Sequence, residues 1–296
     1  MSGPWSAARI AAVCFLALVA GGRHAAAAVV LRDDLQRDVS FATSPRRIIS
    51  MLPSLTETVC ALDACSRLIA TDRYSDWPAQ VEHLPKAGGL DDAEVELIVS
   101  LRPDLVLLSR SQRITERLHE LGIRSFALNS DTYADIARSV TAIGAILGTP
   151  QRALQLNQTI ESEVADVARA AAARRHGPPP TVYFEIDRGL YAAGPRSFIG
   201  ELLAKLGTRN IVTPDLGAFP ELNPEYVVRQ DPDVIFVSAA DAAQMSERPG
   251  WSGMRAVRLH RLCSFAPDVR DTIVRPGPRV AAGMRAMAEC LERLAS

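Results

Sequence analysis

The chain has 296 residues, a formal net charge of −1 and 48% hydrophobic residues. That length suffices for two domains with good cores. The balanced charge points away from nucleic acid, whose binders carry a basic face. The first residues do not read as fold. Arg9 supplies a basic start, residues 10–20 form a short apolar run, and Ala26-Ala27-Ala28 offers a small-residue cleavage site. Residues 1–28 therefore read as a cleaved secretory signal peptide and the mature chain as an exported protein. The apolar run is too short for a permanent bilayer span. Cys14 lies inside the run rather than just after it, which argues against a lipoprotein anchor.

The mature chain alternates strand and helix signals. Residues 29–43 suggest a starting hairpin around Asp33-Asp34, and residues 48–52 a short strand. Ser54 with Glu57 has the spacing of a capping box that opens a helix. A strand at 68–71 follows, then the loop 74–78 and Gly88-Gly89. Residues 96–109 read ELIVSLRPDLVLLS: the end of a helix, a Pro-Asp break and a wholly apolar strand suited to burial on both faces. A helix over 114–121, a strand over 125–128 and a helix over 133–147 complete a first lobe at Gly148. Thr149 is placed as an N-cap with Pro150 at the first helical position. Leu156, Ile160, Val164, Val167 and Ala171 then share one face of an uninterrupted helix that runs to Arg175. Such a helix is about 40 Å long. It stops at Gly177-Pro178-Pro179-Pro180.

Beyond it come a strand over 182–184, a helix over 198–206 and a second line, EYVVRQDPDVIFVS at 225–238, which matches the first in step. Glu96 and Glu225, Pro103 and Pro232, Asp104 and Asp233, and Ser109 and Ser238 are each 129 positions apart. A period this long suggests two similar α/β lobes rather than a solenoid. The competing reading is chance, because any doubly wound domain contains several helix–Pro-Asp–strand units. A strand over 263–265 and a helix over 278–294 end the chain. The organisation expected is a signal peptide at 1–28, an N-terminal lobe at 29–148, a bridging helix at 149–177 and a C-terminal lobe at 178–296.

Export permits disulfides. Cys60 and Cys65, close together at a helix end, are candidates for a local bridge or for small buried hydrophobes. The spacings leave open whether Cys263 and Cys290 pair. No C-x-x-C or Cys/His metal spacing occurs.

RRIISMLPSLTETVCALD, YSDWP, ELIVSLRPDLVLLS, the long helix, YAAGPRSFIGELLAKLG and the late RPGPR together resemble the periplasmic binding proteins of ABC importers for cobalamin, ferric siderophores and haem. The cobalamin-binding branch is the most similar. The resemblance covers the chain from about Pro45 to its end. It implies an α/β fold of two Rossmann-like lobes joined by one long rigid helix, the helical-backbone type of metal-chelate receptor, with ligand in the cleft. It also implies a periplasmic monomer that takes a metal-chelate small molecule and docks on transmembrane permease subunits, with no cofactor of its own. Glu96 and Glu225 match the surface glutamates, one per lobe, that enter arginine pockets on the permease. The alternative for each is an ordinary first-turn glutamate favoured by the helix dipole.

Loops after parallel strands form the crevice of open sheets. Here they are 53–56, 74–78, 88–90 and 109–110 on the first lobe, and 188–191, Phe219 and 271–275 on the second. The ligand-facing candidates are accordingly Ser54, Tyr74, Trp77, Leu90, Tyr191, Phe219, Asp271 and Arg275. Tyr74 and Tyr191 match aromatic positions that contact the corrin, and Asp271 and Arg275 match polar positions at its rim. Leu90 and Phe219 stand where the best-known cobalamin proteins have tryptophans, which leaves a ferric siderophore or haem as the alternative to a corrinoid.

An exported enzyme is the rival from another class, but G-x-S-x-G, H-E-x-x-H, P-loop and G-x-G-x-x-G signatures are missing. His83, His119, His176 and His260 are scattered among charged residues and read as surface. A receptor for free zinc or manganese would need histidines in the cleft loops. None falls there, so no metal ligand is assigned.

Overall fold

The computed structural model describes residues 28–111 and 113–295. Apart from its last residue, the expected leader lies outside them. None of the described helices is long and apolar enough to cross a membrane.

The described chain opens with an antiparallel hairpin, β1 (Val29–Arg32) and β2 (Asp38–Phe41). Its turn is built on Asp33. That buried carboxylate accepts from the N–H groups of Leu35, Arg37 and Ala127 and pairs with the Arg37 guanidinium. This is the backbone-directed use of Asp that turns favour.

The first lobe continues through β3 (Ile48–Ser50), α1 (Pro53–Ala61), β4 (Leu68–Thr71), α2 (Val95–Ser100), β5 (Leu105–Ser109), α3 (Thr115–Glu120), β6 (Ser125–Leu128) and α4 (Tyr133–Leu147). After α5 (Pro150–Arg174) the second lobe comprises β7 (Thr181–Phe184), α6 (Phe198–Lys205), β8 (Arg209–Asn210), α7 (Pro224–Gln230) and β9 (Val234–Ser238). It ends with α8 (Ala239–Ala242), α9 (Arg255–Arg258), β10 (Leu262–Phe265), α10 (Pro267–Val274) and α11 (Val280–Ala295). Both sheets are parallel, ordered β4-β3-β5-β6 and β8-β7-β9-β10. Each lobe therefore arranges its strands as second, first, third, fourth. The two lobes share one topology, and the doubled line is α2–β5 in the first and α7–β9 in the second.

The repeated Pro-Asp has a definite task. Asp104 accepts from the N–H groups of Arg46 and Arg47, at 2.9 Å each, just before β3. Asp233 accepts from the N–H and hydroxyl of Thr181, at 2.8 and 2.7 Å, at the start of β7. In both lobes the carboxylate pins the first strand beside the third. Burial raises the Asp233 carboxyl, yet the Thr181 bonds outweigh it and hold the group below its ordinary range. The strands that follow are buried on both faces, fully in β5 and up to the last residue in β9.

α5 joins the lobes by packing on both cores. Ala153 lies in the first core with Val140, Ile143 and Leu147. Ile160, Val164 and Val167 lie in the second with Phe198, Leu202 and Met284. Burying each of the three contributes about 1.5–3 kcal/mol, which resists bending at the bridge. α4 and α5 cross so closely that a Cβ on Gly144 would lie 2.4 Å from that of Ala153. Thr149 makes no capping bond, contrary to expectation, and its hydroxyl is buried without a partner. Pro150 at the first position presets the helical φ and has no N–H to satisfy. Disulfides join Cys60 to Cys65 beside α1, and Cys263 in β10 to Cys290 in α11.

Candidate functional site

The carboxyl ends of the two sheets face a shared cavity of about 600 Å³, within the usual range for a ligand site. Three of its walls come from loops shaped by their own sequence. After β3 the chain turns directly into α1. The expected Ser54–Glu57 capping box does not form: Leu52 is the cap residue, Pro53 begins the helix, and no side chain caps it. Ser54 is buried at the cavity wall with its hydroxyl unpartnered. Glu57, one turn further on, reaches across to the second lobe.

After β4, the Asp72 carboxylate accepts from Tyr74 N at 2.8 Å and from the Ser75 hydroxyl at 2.5 Å. This local turn pushes Tyr74 outward, 58% exposed on the cavity edge. Burial raises the Asp72 carboxyl above its ordinary value, with the Ser75 and Tyr74 bonds only partly offsetting it. Lys86 fastens the loop from behind by donating to the Ser75 carbonyl at 2.6 Å. Burial lowers the lysine's pKa. Leu90 follows Gly88, whose φ of +92° and crowding against the Asp92 carbonyl admit no side chain.

On the second lobe, Phe219 stands edge-on to Phe198 with ring centroids 6.4 Å apart, and both line the cavity. Leu90 and Phe219 are themselves 129 positions apart, so the doubled pattern reaches the cavity wall. Asp271 lies on α10 and Arg275 at its C-terminal boundary, rather than in a loop, and they pair across one helical turn at 2.7 Å.

A seam of charges crosses from lobe to lobe beside the cavity. Arg275 donates to Asp76 at 2.5 Å and to the Tyr74 carbonyl at 3.1 Å, and lies 3.5 Å from Glu57. Arg279 holds Glu57 through two bonds, at 2.9 and 2.6 Å. Bidentate pairing of this kind fixes orientation as well as charge. Burial works against the Arg275 charge, but Asp76, Asp271 and Glu57 outweigh it and raise its pKa. Hydrogen bonding to Arg275 lowers the Asp76 carboxyl. Gly277, between the two arginines, packs on Ser54, and a Cβ there would lie 3.3 Å from the Ser54 Cα. On the opposite side, Phe198 N donates to the Asp131 carbonyl at 2.7 Å.

Of the residues expected to face ligand, the cavity gathers Ser54, Tyr74 and Leu90 from one lobe and Phe219, Asp271 and Arg275 from the other. Trp77 lies outside the lining and carries Arg279 over its ring at 4.9 Å, as part of the seam. Tyr191 also lies outside it, half exposed, bridged to Glu221. Sequence reasoning missed Asp131, which follows β6, although the rule that loops after parallel strands line the crevice reaches it directly. It also missed Glu57 and Arg279, whose pairing spans 222 residues.

Glu96 and Glu225 are exposed in the first turns of α2 and α7. Each lies six positions beyond its cavity residue, Leu90 or Phe219. Helices leading into parallel strands begin at the carboxyl edge of the sheet, so both carboxylates stand at the cavity end of their lobes.

Three relatives place the arrangement among known proteins. An uncharacterized ABC transporter substrate-binding lipoprotein of Bacillus subtilis is 28% identical over 89% of this chain and 85% of its own. A cobalamin-binding protein of Halobacterium salinarum is 26% identical over 84% of this chain and 70% of its own. The crystal structure of a periplasmic heme binding protein from Pseudomonas aeruginosa superposes with a TM-score of 0.74 at 26% identity, over 84% of this chain and 93% of that one. The family model described as periplasmic binding protein matches residues 48–268. The chain belongs to the periplasmic binding protein family, and it is a binding protein rather than an enzyme.

Proposed function

We propose that the protein captures a metal-chelate ligand, a cobalamin or a related corrinoid, in the periplasm and delivers it to the transmembrane subunits of an ABC importer. The observation that carries this reading is the cavity between the lobes. Tyr74, Leu90 and Phe219 offer broad apolar contact, and aspartates and Arg275 stand around them. A large flat ligand is held by such surfaces with a few hydrogen bonds to its rim. The relative named as cobalamin-binding supports the corrinoid, and the relative named as an ABC transporter substrate-binding lipoprotein supports delivery to an importer.

In this reading residues 29–148 and 178–296 are the lobes about a bridge at 149–177, and the chain acts as a monomer. It is freed from its leader by cleavage. Glu96 and Glu225 dock on arginines of the permease, one from each lobe, and the bridge allows only small closure. Calorimetric titration of the purified mature chain with cyanocobalamin, haem and ferric siderophores tests the ligand. Saturable one-to-one binding of the corrinoid is expected. Binding of haem or a ferric siderophore alone would replace the corrinoid and leave the capture role intact.

A further inference from the structure

The cavity wall is short of available cations. Four aspartates line it, Asp72, Asp76, Asp131 and Asp271, against two arginines, Arg73 and Arg275. Both arginines are already engaged. Arg73 pairs with Asp92 at 2.5 Å. Arg275 spends its guanidinium on Asp76, Asp271, Glu57 and the Tyr74 carbonyl.

The cations just behind the wall are engaged as well. Arg110 faces Asp131 at 3.6 Å, Arg188 bonds Asp241, and Arg270 bonds the Ile186 carbonyl. Arg279 holds Glu57, and Lys86 is bonded within its own loop. The carboxylates, by contrast, keep acceptor capacity, since an ionised carboxylate offers about four lone-pair sites. Asp131 is 41% exposed at its side chain.

Recognition of a ligand carboxylate or catecholate calls for arginine or lysine directed at it. Here the lining itself holds two more aspartates than arginines, and each of those arginines is already bonded to a carboxylate of the protein. Like charges across an interface are a means of rejecting wrong partners. We propose that the cavity selects metal chelates without net negative charge, neutral or cationic, that present N–H donors at their rim, and that it rejects polyanionic chelates. This rests on the cavity being the ligand site of the proposed function. It separates the corrinoid from haem, which carries two carboxylates, and from ferric tris-catecholates, which are trianions, while cationic ferric hydroxamates stay on the corrinoid's side.

The test titrates the intact mature chain with pairs matched in core and different in charge. One pair is cyanocobalamin and its derivative with a single peripheral amide hydrolysed to carboxylate. The other is the cationic ferric hydroxamate ferrioxamine B and a ferric tris-catecholate. In whichever pair binds, the member without negative charge should bind roughly tenfold tighter or more, and the gap should widen at low salt. Asp131→Asn, an exposed change that leaves the seam intact, should narrow it. Equal or tighter binding of the anionic member overturns the inference and leaves the capture role standing. Binding of no chelate of either charge overturns both.

Discussion

Arg275 shows how much one side chain can settle. It touches Asp271 on its own helix and Asp76, Tyr74 and Glu57 on the other lobe, so it closes the seam and forms part of the cavity wall. Glu57, 3% exposed at its side chain, is the seam's acidic centre. Truncating one partner of a buried pair leaves the others uncompensated. Glu57→Ala is therefore expected to lower stability by about 3 kcal/mol and the Tm by roughly 6–12 °C. The emission of Trp77 should change with it, because Arg279, which lies over that ring, loses the Glu57 carboxylate that holds it. Denaturant unfolding checks this, and a loss within about 0.5 kcal/mol, the size usual for surface changes, would contradict the seam's part in stability.

The same seam fixes a pH dependence. The folded Asp76 carboxyl is held below its ordinary value of 3.8. Its contribution is complete above that value and is lost as pH falls through the lower folded value. The Asp76–Arg275 pair should therefore persist through mildly acidic pH and open only below about pH 4, which Trp77 emission reports once the raised Asp72 carboxyl of the same loop is removed by Asp72→Asn. The Asp271–Arg275 spacing of one helical turn is visible in the sequence. The pairing of Arg275 with Glu57 is not, because a carboxylate near a helix start reads equally well as a capping residue.

At the level of elements, the repeat was legible because burial dictates it. Four apolar residues and a serine after Pro-Asp suit a covered strand, and β5 and β9 are that strand in each lobe. The task of Asp104 and Asp233 in pinning β3 and β7 was hidden, since it depends on which strand lies alongside. The long helix was legible for a similar reason, its apolar stripe having a period no strand could use. The absent caps at Ser54 and Thr149 show the limit: Ser54 falls inside the helix, after Pro53, and the Thr149 hydroxyl is buried without a partner, whereas Asn223, also followed by proline, does cap α7. The disulfides give the test at this scale. The Cys263–Cys290 bridge closes a 27-residue span between β10 and α11. Replacing both cysteines with Ala should cost about 3–4 kcal/mol in denaturant unfolding. The same change at Cys60 and Cys65, which close a span of 5 residues, should cost about 2 kcal/mol. An equal or larger loss at the shorter loop would contradict the loop-entropy explanation.

The whole molecule is two lobes of one topology, tied by α5 and again by the charged seam, with the cavity between them. Two ties leave small closure as the available motion, which suits the proposed delivery to a membrane partner. In the proposed docking, Glu96 and Glu225 are the repeat-related residues that meet the permease, and neither belongs to the cavity wall. Replacing them should leave folding within about 0.5 kcal/mol of the original and ligand binding unaltered. Truncating buried charge pairs at an interface costs about 2–5 kcal/mol each. The direct measurement is ligand uptake by a strain that depends on this protein, carrying Glu96→Ala with Glu225→Ala. Uptake should fall roughly tenfold or more while the purified variant still binds. Unchanged uptake would contradict capture and delivery through one carboxylate on each lobe.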